Sequence, residues 1–364
     1  MSIQEYKNLK ETLELEIKKS SNVFIVGHNS PDFDSIGSAI GLYRIVYELG
    51  KKAYIIVDDN ELMIESGVKR ILEEYDEEYR FIKKKDIEKH QTKKSMLIVT
   101  DTNKKNMISV GDKLDTFRNV IVIDHHLEGE DTIDTPNKFI NTEASSASEI
   151  VGKLMMLLKI KCGPKVANAL YAGISLDTKR FKQNTTSITH DVAEKLINNG
   201  ADIDYVYSLF SEEFDSFCRF TNLIISGTNI KKYSKDLLAP IQVSFTLNRN
   251  NPHEIYLKED CAKAADQMMK FYGIDAAIAL GYVDENNVHI SARSNKKVNV
   301  AKIMDAIGGG GTPTAAGCRK ETDDILGLEK QIMRKVKLGI SEEEEIYEEP
   351  KLVKTKQIKK NKKN

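Results

Sequence analysis

The stretch VIVIDHHLEGE (120–130) decides how this chain is read. A run of Val and Ile stops abruptly at Asp124, His125 and His126. Short β-branched runs bounded by polar residues read as buried strands. Open α/β sheets place their ligands beyond the carboxyl ends of the strands, so a strand that empties into Asp-His-His predicts a site at its end. Packing gives no reason for three adjacent side chains that are all able to bind metal.

Two further segments end the same way. NVFIVG (22–27) runs into His28, Asp32 and Asp34, and SMLIVT (95–100) runs into Asp101. A fourth, NALYAGISLDTKRF (168–181), reads as a helix that delivers Asp177. A single Asp after a strand commonly serves as a turn residue or helix N-cap. The combination of His28-x3-Asp32-x-Asp34 with Asp124-His125-His126 goes beyond that reading. The donors are carboxylate and imidazole without thiolate, which suits Mn²⁺, Mg²⁺, Co²⁺ or Fe rather than a soft metal. So many anionic ligands repel one another around one ion, and two divalent cations sharing a carboxylate resolve the conflict.

GHNSPDFDSIGSA, VTDTN, VIDHHLEGE and AGISLDTKRF resemble, in order, the four motifs of the DHH phosphoesterase superfamily. Downstream, ISARSNKKVNVAKIMDAIGGGG resembles a DHHA1 substrate domain, with wording like that of the cyclic di-AMP phosphodiesterase branch. The resemblance spans about residues 20–320. It implies that one metal takes His28, Asp32 and Asp101 and the other Asp34, Asp101, His125 and Asp177, with Asp101 bridging and Mn²⁺ as the expected ion. Asp124 is expected to orient His125. His126 is expected to contact substrate phosphate or protonate the leaving alkoxide. Neighbouring residues at a strand end point to opposite sides, so His125 and His126 are expected to serve different partners.

The expected fold is α/β, a parallel doubly wound DHH domain (1–195) joined by a helical linker (196–235) to a smaller α/β DHHA1 domain (236–335). A charged, disordered tail is expected over 336–364. The N-terminal helix over 3–20 repeats Leu9, Leu13 and Ile17 at a spacing of four. A strand is expected over Ala53–Val57, a helix from Ile36 to Leu49, and a solvated loop at Lys83–Lys85. Gly37 and Ser38 are read as small residues where that helix nears the metal cluster. Ser145 or Ser146 should open the helix after the DHH stretch, Ser146 with Glu149 fitting a capping box. Strands return at Pro240–Leu247, Ala276–Tyr282 and Val288–Arg293.

In the second domain, Gly308–Gly311 precede what reads as a helix start. Glycines let the backbone approach a phosphate while a helix N-terminus favours its charge. Ser291, Arg293, Gly309, Gly310, Gly311 and Thr312 are the expected substrate contacts, Arg293 offering a fork of donors matched to phosphate. The resembled family usually has a histidine where this chain has Thr312, so substrate affinity or selectivity is expected to differ. His90, His190, His253 and His289 read as surface or ordinary core residues.

Acidic and basic residues nearly cancel, giving a net charge of -1. That leaves no global footprint of a duplex nucleic-acid binder. The four cysteines are far apart without metal spacing and are expected to be free thiols. No apolar run is long enough to span a bilayer, and the acidic N-terminal stretch does not read as a signal peptide. A soluble, cytoplasmic protein without membrane tethering is expected, and the resemblance implies a homodimer. The implied activity is hydrolysis of cyclic di-AMP to pApA, or on to AMP. The alternatives are a nanoRNase or 3′,5′-bisphosphate nucleotidase acting on short oligoribonucleotides or pAp, a polyphosphate or pyrophosphate hydrolase, and a nucleotide sensor without catalysis.

Overall fold

The computed structural model describes residues 3–57, 64–129, 131–211, 213–233 and 240–340. The chain divides into two compact units, 1–211 and 212–364. The first opens with α1 (Ile3–Lys19), β1 (Asn22–Val26), α2 (Phe33–Glu48), β2 (Lys52–Val57), α3 (Ser66–Tyr75), β3 (Phe81–Lys83), α4 (Ile87–His90) and β4 (Met96–Thr100). It continues through β5 (Asn119–Asp124), β6 (Lys138–Ile140), α5 (Ala147–Leu158), α6 (Gly163–Asp177), α7 (Ser187–Asn198) and α8 (Ile203–Leu209).

All strand pairs of this unit are parallel, in the order β3-β2-β1-β4-β5-β6. This is a doubly wound sheet whose order reverses between β1 and β4, where ligand crevices form. Its central strands β1, β2, β4 and β5 read as apolar runs because both faces are covered. Val23 and Ile25 join one core with Leu9, Leu13 and Ile17 of α1, and Phe24 and Val26 join a second core with Ile87, Val110 and Phe117.

Helix α2 begins at Phe33 rather than near Ile36, because the Asp32 carboxylate accepts the N–H groups of Asp34 and Ser35 at 2.9 and 3.0 Å. Gly37 does not face the metal-competent cluster. A Cβ there would lie 2.3 Å from the Ala169 carbonyl oxygen, so its role is to let α2 and α6 touch. Ser146 caps α5 and accepts the Glu149 N–H, but the Glu149 carboxylate turns to Ser145 and Thr189, so the capping box is only half formed. Of the expected lysine loop, Lys83 closes β3 and Lys84 pairs with Asp112 at 2.7 Å.

The second unit comprises α9 (Phe214–Ile225), β7 (Thr228–Tyr233), β8 (Ile241–Thr246), α10 (Lys258–Met268), β9 (Ala276–Tyr282) and β10 (Asn287–Ser294). It ends with α11 (Val300–Asp305), β11 (Gly310–Gly311), β12 (Ala315–Glu321) and α12 (Ile325–Gly339). Its mixed sheet has the order β11-β12-β10-β9-β8-β7, with only β8 and β9 parallel. Residues 196–235, expected as one linker, divide between the units. Val206 and Leu209 of α8 lie in the first core, whereas Phe220 and Leu223 of α9 pack with Cys261 and Ala264. Strand β7 falls in this stretch and was not expected from the sequence. Residues 336–339, read as the start of the tail, complete α12 with Val336 fully buried, and the remainder from 341 lies outside the described residues.

No helix follows the glycines. Gly308 has a φ of +81 and lies just past the end of α11, and Gly310 and Gly311 pair with Gly317 and Ala316. A Cβ on Gly309 would meet the Gly317 carbonyl oxygen at 2.4 Å. The run is glycine because it lies flat against β12, not because a helix N-terminus cradles an anion.

Filling the α2–α6 contact should be costly. Gly37→Ala is expected to lower stability by about 1–3 kcal/mol, as overpacking against a backbone does, read as a lower urea midpoint. An unchanged midpoint would mean that the two helices part freely.

Candidate metal centre

His28, Asp101 and His125 lie just past the carboxyl ends of β1, β4 and β5, Asp32 and Asp34 at the start of α2, and Asp177 at the end of α6. His28 follows β1, and its Nδ1 lies 2.9 Å from the Asn29 carbonyl oxygen. That contact fixes the ring so that Nε2 lies 3.5 Å from Asp32 Oδ2 and 3.3 Å from Asp101 Oδ2. On the other side, His125 Nε2 lies 3.7 Å from Asp34 Oδ2, 3.4 Å from Asp101 Oδ1 and 3.2 Å from Asp177 Oδ2. Asp101 thus turns one oxygen to each imidazole. It does so from a left-handed backbone, φ +59, a conformation that costs an ordinary residue roughly 1–3 kcal/mol.

Among the described residues, three overlapping donor groups lie here, one of them Asp101 with Asp124, His125 and His126, and the other two fall within the expected ligand sets. His28, Asp32 and Asp101 form one and Asp34, His125 and Asp177 the other, with the ligand atoms of each within 4.8 Å of one another. Asp34 is fully buried and accepts the N–H groups of Ala147 and Ser148 at 2.7 Å each, so the start of α5 faces the cluster. Gly173 supplies the remaining room, since a Cβ there would lie 2.8 Å from Asp34 Oδ1.

The electrostatics are those of a cluster short of positive charge. Burial raises the Asp34 carboxyl well above its usual range, and the charges of Asp101 and Asp177 add to the rise. Burial likewise raises Asp177. For Asp101, burial works in the same direction but the His125 and His28 imidazoles outweigh it, bringing the group down to about 2. Burial opposes the charged forms of both imidazoles, yet the surrounding carboxylates push His28 and His125 up to about 11. Asp101 Oδ1 and His125 Nε2 are buried and have no hydrogen-bond partner. Buried polar atoms left unpaired and aimed at one point fit a cation whose donors are oxygen and imidazole.

Two expectations change here. Asp124 does not orient the ring of His125. Its Oδ1 accepts the His125 backbone N–H at 2.7 Å and lies 2.9 Å from His126 Nδ1. The two histidine rings do not diverge either, their centroids being 4.2 Å apart. Strand β5 ends at Asp124, so the alternation of a pleated strand no longer applies beyond it. Hydrogen bonding to Asp124 raises the His126 pKa, and its side chain is half exposed. Asn103, which the sequence reading passed over, donates to Asp124 Oδ2 at 2.8 Å and to the His126 carbonyl at 3.1 Å. Its position two residues after Asp101 was the available signal.

The model of the DHH family N-terminal domain matches residues 22–174, and that of the DHHA1 domain matches residues 240–337. The chain thus carries a DHH domain followed by a DHHA1 domain. The cyclic-di-AMP phosphodiesterase GdpP of Bacillus subtilis is 34% identical over 307 residues, covering 82% of this chain and 45% of the relative. The cyclic-di-AMP phosphodiesterase PdeA of Listeria monocytogenes is 31% identical, covering 89% of this chain and 49% of the relative. The chain spans about half the length of these curated relatives. A crystal structure of an exopolyphosphatase-related protein from Bacteroides fragilis shares the fold with a TM-score of 0.71 at 20% identity, covering 91% of this chain and 95% of that one.

In the DHHA1 domain, Ser291, Arg293, Gly310 and Gly311 line one open cavity of about 350 Å³ together with Lys258, His289 and Ala316. Gly309 and Thr312 are not among its lining residues. The Thr312 hydroxyl instead closes the β11–β12 turn, 3.2 Å from both the N–H and the carbonyl oxygen of Ala315. Arg293 is tethered by Asp266 at 2.8 Å. The DHH domain has its own cavity of about 470 Å³ beside His125 and Asp177, lined by Thr142, Glu143, Ser145, Asn184 and Thr186. All four cysteines are free thiols. Among the described residues, no helix is long and apolar enough to cross a membrane.

A cation that binds only the folded chain stabilises it by about 2.7 kcal/mol at a hundred times its Kd. Mn²⁺ should therefore raise the Tm by several degrees, and Asp101→Asn should abolish that rise. Equal melting of the native protein with and without Mn²⁺ would show that these donors hold no ion.

Proposed function

We propose that this chain is a Mn²⁺-dependent phosphodiesterase that hydrolyses cyclic di-AMP to linear pApA. The observation that carries the reading is the Asp101 carboxylate, which presents one oxygen to the His28–Asp32 group and the other to the His125–Asp34–Asp177 group. The relatives named as cyclic-di-AMP phosphodiesterases support the choice of substrate.

His28, Asp32 and Asp101 would hold one divalent cation, and Asp34, Asp101, His125 and Asp177 a second. Such a pair, when bound, lowers the pKa of water and stabilises the attacking and leaving oxygens of an in-line displacement at phosphorus. The remaining work belongs to side chains of this protein. Asp124, itself held by Asn103, fixes the His126 ring and raises its pKa, so His126 is the proton donor to the leaving 3′ oxygen. The α5 N–H groups of Ala147 and Ser148 position the Asp34 carboxyl and partly offset the cost of its burial. In the second unit, the tethered guanidinium of Arg293 and the backbone of Gly310 and Gly311 would bind a nucleotide phosphate.

Turnover of cyclic di-AMP, pApA, pAp and pyrophosphate with Mn²⁺ tests the proposal. Cyclic di-AMP should give the highest kcat/KM, and preference for pAp or pApA would move the protein to the nucleotidase or nanoRNase reading. Hydrolysis of bis(p-nitrophenyl) phosphate should vanish in Asp101→Ala. In His126→Ala, kcat on cyclic di-AMP should fall about 10²–10⁴-fold, the usual contribution of a positioned acid. Binding of cyclic di-AMP without turnover under any divalent cation would favour a sensor.

A further inference from the structure

His289 lies in the DHHA1 cavity rather than in a core or on an open surface. Strand β10 places His289, Ser291 and Arg293 at alternate positions, so the three share one face. All three line the cavity with Gly310 and Gly311. The ring nitrogen Nε2 of His289 lies 3.2 Å from the Ser291 hydroxyl oxygen. Across the strand ladder, His289 sits opposite Arg319 and Ser291 opposite Gly317, so no side chain on β12 screens the serine from that side.

Burial lowers the His289 pKa, and the nearby positive charges of Lys258, Arg319 and Arg293 reinforce the effect against Glu259. The ring is therefore a neutral imidazole near neutral pH, with a single N–H. Two arrangements of the pair are open to it. Either Ser291 donates its proton to Nε2, or Nε2–H donates to the serine oxygen and the hydroxyl proton is left for another acceptor. An anionic phosphate in this cavity accepts hydrogen bonds and donates none, so it selects the second arrangement.

We propose that His289 is a positioning residue of the nucleotide site: Nε2–H holds the Ser291 oxygen so that the serine hydroxyl proton points at a phosphate oxygen of the substrate. The inference rests on the reading that this cavity binds the nucleotide. Ser291 is here a phosphate donor and not a nucleophile, and His289 moves no proton during turnover.

Steady-state kinetics of the Mn²⁺-loaded full chain, on whichever of cyclic di-AMP, pApA and pAp it turns over best, tests this. His289→Leu should raise KM about tenfold, the size of one lost charge-assisted hydrogen bond, with kcat and bis(p-nitrophenyl) phosphate hydrolysis within about twofold of native. His289→Gln, which keeps a neutral N–H donor, should restore KM to within about threefold. Ser291→Ala should match His289→Leu, and the double variant should show no further rise, because the pair acts as one donor. The inference is overturned if Ser291→Ala raises KM while His289→Leu does not, if the two increases multiply, or if Gln fails to rescue. If neither Ser291→Ala nor Arg293→Ala changes KM, the placement of the nucleotide in this cavity is wrong and the role of His289 falls with it. If none of the three nucleotides is turned over, the proposed function itself fails.

Discussion

Everything in the first unit answers to one electrostatic constraint: carboxylates held close together where water is largely excluded. Asp34 and Asp101 are buried, and Asp177 lies beside them. Taking a carboxylate out of water costs several kcal/mol even after the protein relaxes, and gathering others around it adds repulsion. A fold tolerates this only if something returns positive potential to the same place. Here the return comes from two imidazoles, from the N-terminus of α5 and, when bound, from divalent cations. The parallel sheet makes the gathering possible, because successive strands end on one edge and the order reverses between β1 and β4. Gly37 and Gly173 then let α6 approach closely enough to add Asp177.

The second unit presents a complementary chemistry. Its cavity is lined by Lys258, Arg293 and His289 with one acid, Glu259, beside glycine backbone, whereas the cavity next to the ligands in the first unit has Glu143 and Asp177 and no lysine or arginine among its lining residues. One set of residues suits cations and the other suits the phosphate of a nucleotide. Arginine held by Asp266 loses less side-chain freedom on binding than an untethered one would.

Some features were readable in the chain because their causes are local. The central strands β1, β2, β4 and β5 of the first sheet are buried on both faces, so they appear as apolar runs, and His28, Asp101 and His125 follow β1, β4 and β5 within two residues. Strand β7 was hidden for the opposite reason. Its TNIKKY sequence has no buried residue and lies at a sheet edge, where lysines discourage further pairing and leave no apolar alternation to detect. The glycine run misled because its partner is distant. Only the presence of β12 alongside shows that Gly309 must lack a side chain, and no neighbour in sequence signals it.

The roles of the histidines divide along the same line. That His28, Asp32, Asp34, Asp101, His125 and Asp177 lie close together was legible in the sequence, since they sit in the motifs at the ends of β1, β4 and β5, the start of α2 and the end of α6. That Asp124 steers His126 instead of His125, that Asn103 braces the pair, and that His289 stands beside Ser291 and the glycines were decided only by tertiary structure. Those contacts depend on where the backbone turns after a strand has ended, or on strands brought together from far along the chain. Periodicity along a single element carries no information about either.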